Sequence, residues 1–140
     1  MGRRQSREAA LQALYQLDVG GAESDQAMAY AIEIAGITAD DSNFMKDLVL
    51  GSINHLQEID QIISTLSKDW NIDRLARVDH NIMRMAIYEI LYREDIPFGV
   101  TVNEAVELAK MFGGEDSGRF INGVLAHVGK KETEVTKPGD

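Results

Sequence analysis

The chain has 140 residues, 44% of them hydrophobic, and a formal charge of −9. That is one domain's worth of sequence with an ordinary apolar content, which excludes global disorder. It contains no cysteine, which excludes a disulfide framework and a thiolate metal site and fits a reducing, cytoplasmic environment.

No apolar run is long enough to cross a bilayer, so no membrane association is expected. The N-terminal arginines are followed by Gln5, Ser6 and Glu8 rather than by an apolar segment, so no secretory signal is expected either. Strand signals are nearly absent, whereas helical spacing runs through the whole chain.

The first helix is predicted from about Arg4 to Leu17, with Ala10, Leu14 and Leu17 as its apolar stripe and Gly20-Gly21 as its stop. Ser24 is placed to cap a second helix carrying Met28, Ile32 and Ala35, which Gly36 ends. A long helix then starts at Asp41 or Ser42. Met45, Leu48, Ser52, Leu56, Ile59, Ile63 and Leu66 recur in steps of three and four, which keeps one face buried. Gly51 interrupts its interior and suggests a close crossing. A connector follows around Trp70, with a short turn near Asp73 to Ala76.

Asp79 is the expected N-cap of the next helix, with Ile82, Met85, Ala86, Tyr88 or Ile90, and Leu91 inward. Pro97 and Gly99 break it. Thr101 with Glu104 forms a capping box for a helix whose stripe is Val102, Ala105, Val106 and Ala109. Gly113-Gly114 ends it. Ser117 is the expected cap of a last helix bearing Phe120, Ile121, Val124, Leu125 and Val128. The expectation is an all-α fold of six or seven helices in two packed small helical bundles. Residues 1–129 form one domain, and residues 130–140, KKETEVTKPGD, form a disordered tail.

Catalytic signatures are missing. His55, His80 and His127 all fall inside predicted helices, and no nucleophile elbow, zinc-binding His pair or phosphate loop is present. The acidic pairs Asp40-Asp41 and Glu115-Asp116 sit at helix starts, where they complement the macrodipole. No cofactor or metal is implied.

Binding chemistry is better represented. Arg3 and Arg7 are one turn apart and share a helix face, while Arg4 and Glu8 can pair beside them. Three cations at a helix N-terminus oppose the macrodipole unless an anion compensates, and phosphate does so well. The alternative is a solvated first turn. Tyr15, further along the same helix, is either core or a base-stacking platform. Lys110, Phe112 and Arg119 repeat the mixture of cation and aromatic around a Gly-Gly-Glu-Asp-Ser turn. That combination suits single-stranded RNA.

The segment VDHNIMRMAIYEILYREDIPFGVTVNEAVELAKMFGGEDSGRFINGVL resembles the NusB family of bacterial transcription antitermination factors. The most specific pieces run from Asn103 to Lys110, then Phe112-Gly113, Ser117, and Phe120 to Leu125. Arg84 with Ala86 to Glu89, and Ile96-Pro97, add to them. Arg3-Arg4-x-x-Arg7-Glu8 and Ala10 to Tyr15 match the family's opening helix. The likeness spans Arg3 to about Leu125 and is weakest between Gly20 and Trp70.

The resemblance implies a non-catalytic protein that binds boxA RNA, particularly in ribosomal RNA leaders. It does so as a heterodimer with NusE, also a small-subunit ribosomal protein, and joins the elongating RNA polymerase to suppress premature termination. By position, the RNA-facing residues are Arg3, Arg4, Arg7, Tyr15, Lys110, Phe112, Asp116 and Arg119. The partner surface includes Trp70, Asp79 and Arg84.

Two departures stand out. Gln5 and Ser6 thin the basic tract, which implies low RNA affinity without the partner. Trp70 stands where a tyrosine is common, and Asp79 is shorter than the usual glutamate. A homodimer covering the RNA surface is a further assembly the resemblance allows.

Gly123 inside its helix is read as a close-packing position, and Asn122 as a hydrogen-bonding partner of a neighbouring turn. Glu89, Glu104 and Glu107 are read as caps or buried ion-pair partners. Two rivals are a protein-only scaffold and the helical accessory domain of an RNA cytosine methyltransferase. The latter needs a Gly-rich cofactor domain and catalytic cysteines, and this chain has neither.

Overall fold

A computed structural model of the chain describes residues 2–66 and 76–136, with side chains at 3–66 and 76–128. The predicted connector around Trp70 lies outside the described residues. Among them there are seven helices and no strand. The helices form two compact units, residues 1–55 and residues 56–140.

The first unit holds α1 (Gly2–Gly20), α2 (Ser24–Ala35) and α3 (Ala39–Asn54). Helix α1 packs on both others. Its predicted stripe is buried at Ala10 and Leu14, joined by Ala9, Leu11 and Ala13, while Leu17 is half-buried. Helix α2 turns Ala27, Met28 and Ala31 inward, so its buried face is offset from the Ile32 and Ala35 expected. Its cap is Glu23 rather than Ser24: the Gln26 N–H donates to Glu23 Oε1 at 3.2 Å. Gly36 ends it as expected, in the left-handed conformation at φ 64°, donating its N–H to the Ile32 carbonyl. Helix α3 starts earlier than predicted because Thr38 Oγ1 accepts the Asp41 N–H, leaving Asp40 and Asp41 in the first turn.

The long helix expected to reach Leu66 is broken at His55. That residue leaves helical geometry (φ −116°, ψ 23°) while its N–H still reaches the Gly51 carbonyl at 3.1 Å. The apolar rhythm runs unbroken through Ser52, Leu56 and Ile59, so spacing alone could not reveal a one-residue interruption.

The second unit holds α4 (Leu56–Leu66), α5 (Arg77–Tyr92), α6 (Phe98–Gly113) and α7 (Glu115–Thr136). Helices α4, α6 and α7 all pack on α5, and every α5 residue from Asp79 to Glu89 is buried. A helix surrounded on all sides must satisfy its polar groups internally. Asn81 Nδ2 donates to the Arg77 carbonyl at 2.9 Å, and Thr101 Oγ1 donates to Glu89 Oε1 at 2.9 Å.

Three predicted caps are therefore spent elsewhere. Helix α5 begins at Arg77 and places Asp79 inside its first turn. Helix α6 begins at Phe98 after Pro97, and Thr101, no capping box, lies within it. Helix α7 begins at Glu115, and the Ser117 hydroxyl donates to Asp79 Oδ2 at 3.2 Å. Gly123 is exposed, with nothing within 4 Å of where a Cβ would stand, so close packing there is ruled out. Its carbonyl instead meets His127 Nδ1 at 2.8 Å. No helix among the described residues is long and apolar enough to cross a membrane.

Candidate nucleic-acid interface

In the first unit, α1 opens with no acidic residue in its first turn. The structure divides its three arginines by helix face. Arg3 and Arg7 share the stripe that continues into Ala10 and Leu14, and that stripe faces α3. Both guanidinium groups lie over the Phe44 ring of α3, Arg3 at 4.2 Å and Arg7 at 5.2 Å from its centroid. Arg3 remains exposed, whereas Arg7 is only 4% exposed. Between them, the buried Ser6 hydroxyl donates to the Asp41 carbonyl at 2.9 Å and ties the two helices at that level.

Arg4, between Arg3 and Arg7 in sequence, is exposed. Tyr15 falls on nearly the same stripe, about 16 Å further along the axis, and is 38% exposed. Its ring is thus neither core nor wholly free of it.

In the second unit, the α6–α7 corner carries the other cluster. Phe112 is 53% exposed and Met111 54%. Lys110 and Arg119 are exposed, each with an acidic neighbour one turn away on its own helix. Lys110 Nζ lies 3.8 Å from Glu107, and Arg119 Nη2 donates to Asp116 Oδ1.

Two glycines allow this corner. A Cβ at Gly118 would stand 2.8 Å from Lys110 Cγ, so the lysine stem runs over α7 at a point without a side chain. A Cβ at Gly113 would stand 2.9 Å from Ser117 Cβ and 3.4 Å from Asp79 Oδ1. Beside the corner, Phe98, Val102, Val106, Lys110, Arg119 and Asn122 line a groove of about 560 Å³.

The residues assigned to a partner surface are placed differently. Trp70 lies outside the described residues. Asp79 and Arg84 are 9% and 8% exposed. Burial raises the Asp79 carboxyl above the ordinary aspartate pKa, against the lowering effect of its Ser117 hydrogen bond.

Arg84 grips Asp60 of α4 in a fork, Nε to Oδ1 at 2.9 Å and Nη2 to Oδ2 at 2.8 Å, and Nη1 donates to Asn81 Oδ1 at 3.2 Å. His80 Nε2 meets Asp60 Oδ1 at 3.0 Å, while its Nδ1 is buried without a hydrogen-bond partner. Burial pushes Asp60 upward, but the hydrogen bonds from Arg84 and His80 outweigh it and hold the carboxyl well below the usual range.

Sequence reasoning missed Asp60, His80 and Phe44. A charged residue on the inward side of α4 was a signal for the first. Nothing local marks Phe44 as a cation platform. No group of acidic and histidine residues suited to a metal ion occurs among the described residues.

These features define an all-helical protein whose distinctive surface chemistry is paired cations and exposed aromatics. Residues 4–130 match the model of the NusB family. The NusB transcription antitermination protein of Pelotomaculum thermopropionicum is 54% identical over 91% of this chain and 89% of its own length. That of Desulforamulus reducens is 52% identical over 89% and 87%. A crystal structure of the antitermination factors NusB and NusE in complex with dsRNA superposes with a TM-score of 0.86 at 30% identity, covering 93% of this chain and 97% of that one. The chain belongs to the NusB family, and it is not an enzyme.

Proposed function

We propose that this chain is a transcription antitermination factor that binds boxA-type single-stranded RNA as a heterodimer with NusE. In that role it joins the elongating RNA polymerase in the cytoplasm and supports ribosomal RNA transcription. The observation that carries this reading is the family match across residues 4–130. The neighbour solved with NusE and dsRNA supports it. So does the clustering of cations and exposed aromatics, Arg3, Arg4 and Tyr15 on α1 and Lys110, Phe112 and Arg119 at the α6–α7 corner.

On this reading Arg3, Arg4, Tyr15, Lys110, Phe112, Asp116 and Arg119 face RNA. The buried Arg7 contributes by bracing the first turn of α1. Trp70, Asp79 and Arg84 belong to the NusE side, the last two by fixing α5 rather than by reaching outward, since both are tied to neighbours within their unit. Residues 1–129 make up the binding domain, and residues 130–140, which include the end of α7, are a tail that RNA binding does not need.

The test is fluorescence anisotropy of a short boxA RNA and a scrambled control, each with and without NusE. Affinity for boxA should rise when NusE is added, and the scrambled RNA should gain less. If NusE raises affinity for neither RNA, the reading fails. A chain ending at residue 129 should bind as the full chain does.

A further inference from the structure

The N-terminal cations raise a physical question. Arginine side chains lose much rotamer freedom when they are ordered on a ligand, and those in the first turn of α1 also oppose its macrodipole. The structure offers a compensation on α3. Phe44 is 6% exposed, and both Arg3 and Arg7 lie over its ring. The face of an aromatic ring carries negative charge and attracts a guanidinium. It has no lone pairs, so it competes weakly for the guanidinium N–H donors.

We propose that Phe44 is a positioning residue for RNA binding: its ring holds the Arg3 guanidinium in place before the phosphate arrives. Arg7, buried on the same ring, and the Ser6–Asp41 hydrogen bond keep α1 and α3 in the register this requires. A leucine in place of Phe44 would fill the core there without a charged face. This inference rests on the proposed RNA reading of Arg3.

The experiment measures boxA RNA binding to the full chain with NusE, together with the melting temperature of each variant. Phe44→Leu should weaken binding roughly two- to fivefold, the equilibrium equivalent of an exposed cation–π contact. Phe44→Tyr, which keeps the ring, should bind nearly as the parent does. In an Arg3→Ala background, Phe44→Leu should add nothing further.

The salt dependence separates the two roles. Arg3→Ala should flatten the slope by about 0.7, one single-strand phosphate contact, whereas Phe44→Leu should leave it unchanged. Should Phe44→Leu fail to fold, a fluorinated phenylalanine series at position 44 drains charge from the ring face at nearly constant size. Affinity should then fall with each added fluorine.

Unchanged affinity in Phe44→Leu or in the fluorinated series, beside a weakened Arg3→Ala, overturns the positioning role and leaves Phe44 as core. Equal losses from Phe44→Leu in both backgrounds overturn it too. An Arg3→Ala variant that binds as the parent does overturns the RNA reading of Arg3 beneath it, and the proposal with it.

Discussion

Single side chains of the same chemical type do different work here, and burial decides which. Arg4 is exposed and Arg7 is 4% exposed on the same helix. Arg4→Ala should therefore flatten the salt dependence of RNA binding by about 0.7 in slope, with little change in melting temperature. Arg7→Ala should instead lower the melting temperature, because the ring of Phe44 loses a buried neighbour. Phe112 is 53% exposed, so its loss leaves no core cavity. If a base stacks on it, Phe112→Ala should cost roughly 1–3 kcal/mol in RNA affinity without destabilising the fold. Calorimetric melting beside anisotropy checks all three.

The spacing of Arg3 and Arg7 made their shared face legible from the sequence. The direction of that face was not, because the ring it meets comes from α3 and has no local signature in α1.

At the level of the helices, periodicity located nearly every element, and glycines located the ends of α1, α2 and α6. Caps were harder. Thr101 and Ser117 read as caps in the sequence, yet they lie inside α6 and α7 and their hydroxyls donate to Glu89 and Asp79 of α5. A hydroxyl near a helix start can serve its own backbone or a neighbouring helix. Only the assembled unit decides, since the buried carboxylates of α5 need donors more than the helix starts do.

Helix α5 takes part in two aspartate-dependent balances of opposite sign, one with Asp60 of α4 and one through its own Asp79. Asp60 has its pKa depressed on folding, so it stabilises the protein above the ordinary aspartate pKa, and that contribution is lost as the pH falls through acid values. Asp60→Asn should destabilise by roughly 1–3 kcal/mol at neutral pH, between the exposed and buried limits for breaking an ion pair. Asp79 has its pKa raised, so the folded state binds its proton more tightly and stability falls as the pH rises through its folded value. Asp79→Asn should accordingly melt no lower than the parent at neutral pH, and its advantage should vanish in acid. Urea denaturation across pH distinguishes the two.

For the molecule as a whole, an overall charge of −9 gives no hint of a nucleic-acid ligand. Binding responds to a local patch rather than to the sum. The cations are few, and two of them, Lys110 and Arg119, already have acidic neighbours on their own helices. Added salt should consequently weaken RNA binding only shallowly for the chain alone, and more steeply once NusE contributes phosphate contacts of its own. Titration of boxA RNA over a range of salt, with and without NusE, reads this directly.

The α6–α7 corner bears on where the cost of recognition falls. Gly113 leaves no room for a Cβ against Ser117, and Ser117 is bonded to Asp79 of the buried α5. Phe112 and Arg119 therefore project from either side of a bend that is bolted to the centre of its unit. A scaffold braced in this way spends less entropy in meeting its ligand. The ordering falls instead on the RNA strand, whose own stiffness at the bases seated on this corner then becomes a determinant of affinity.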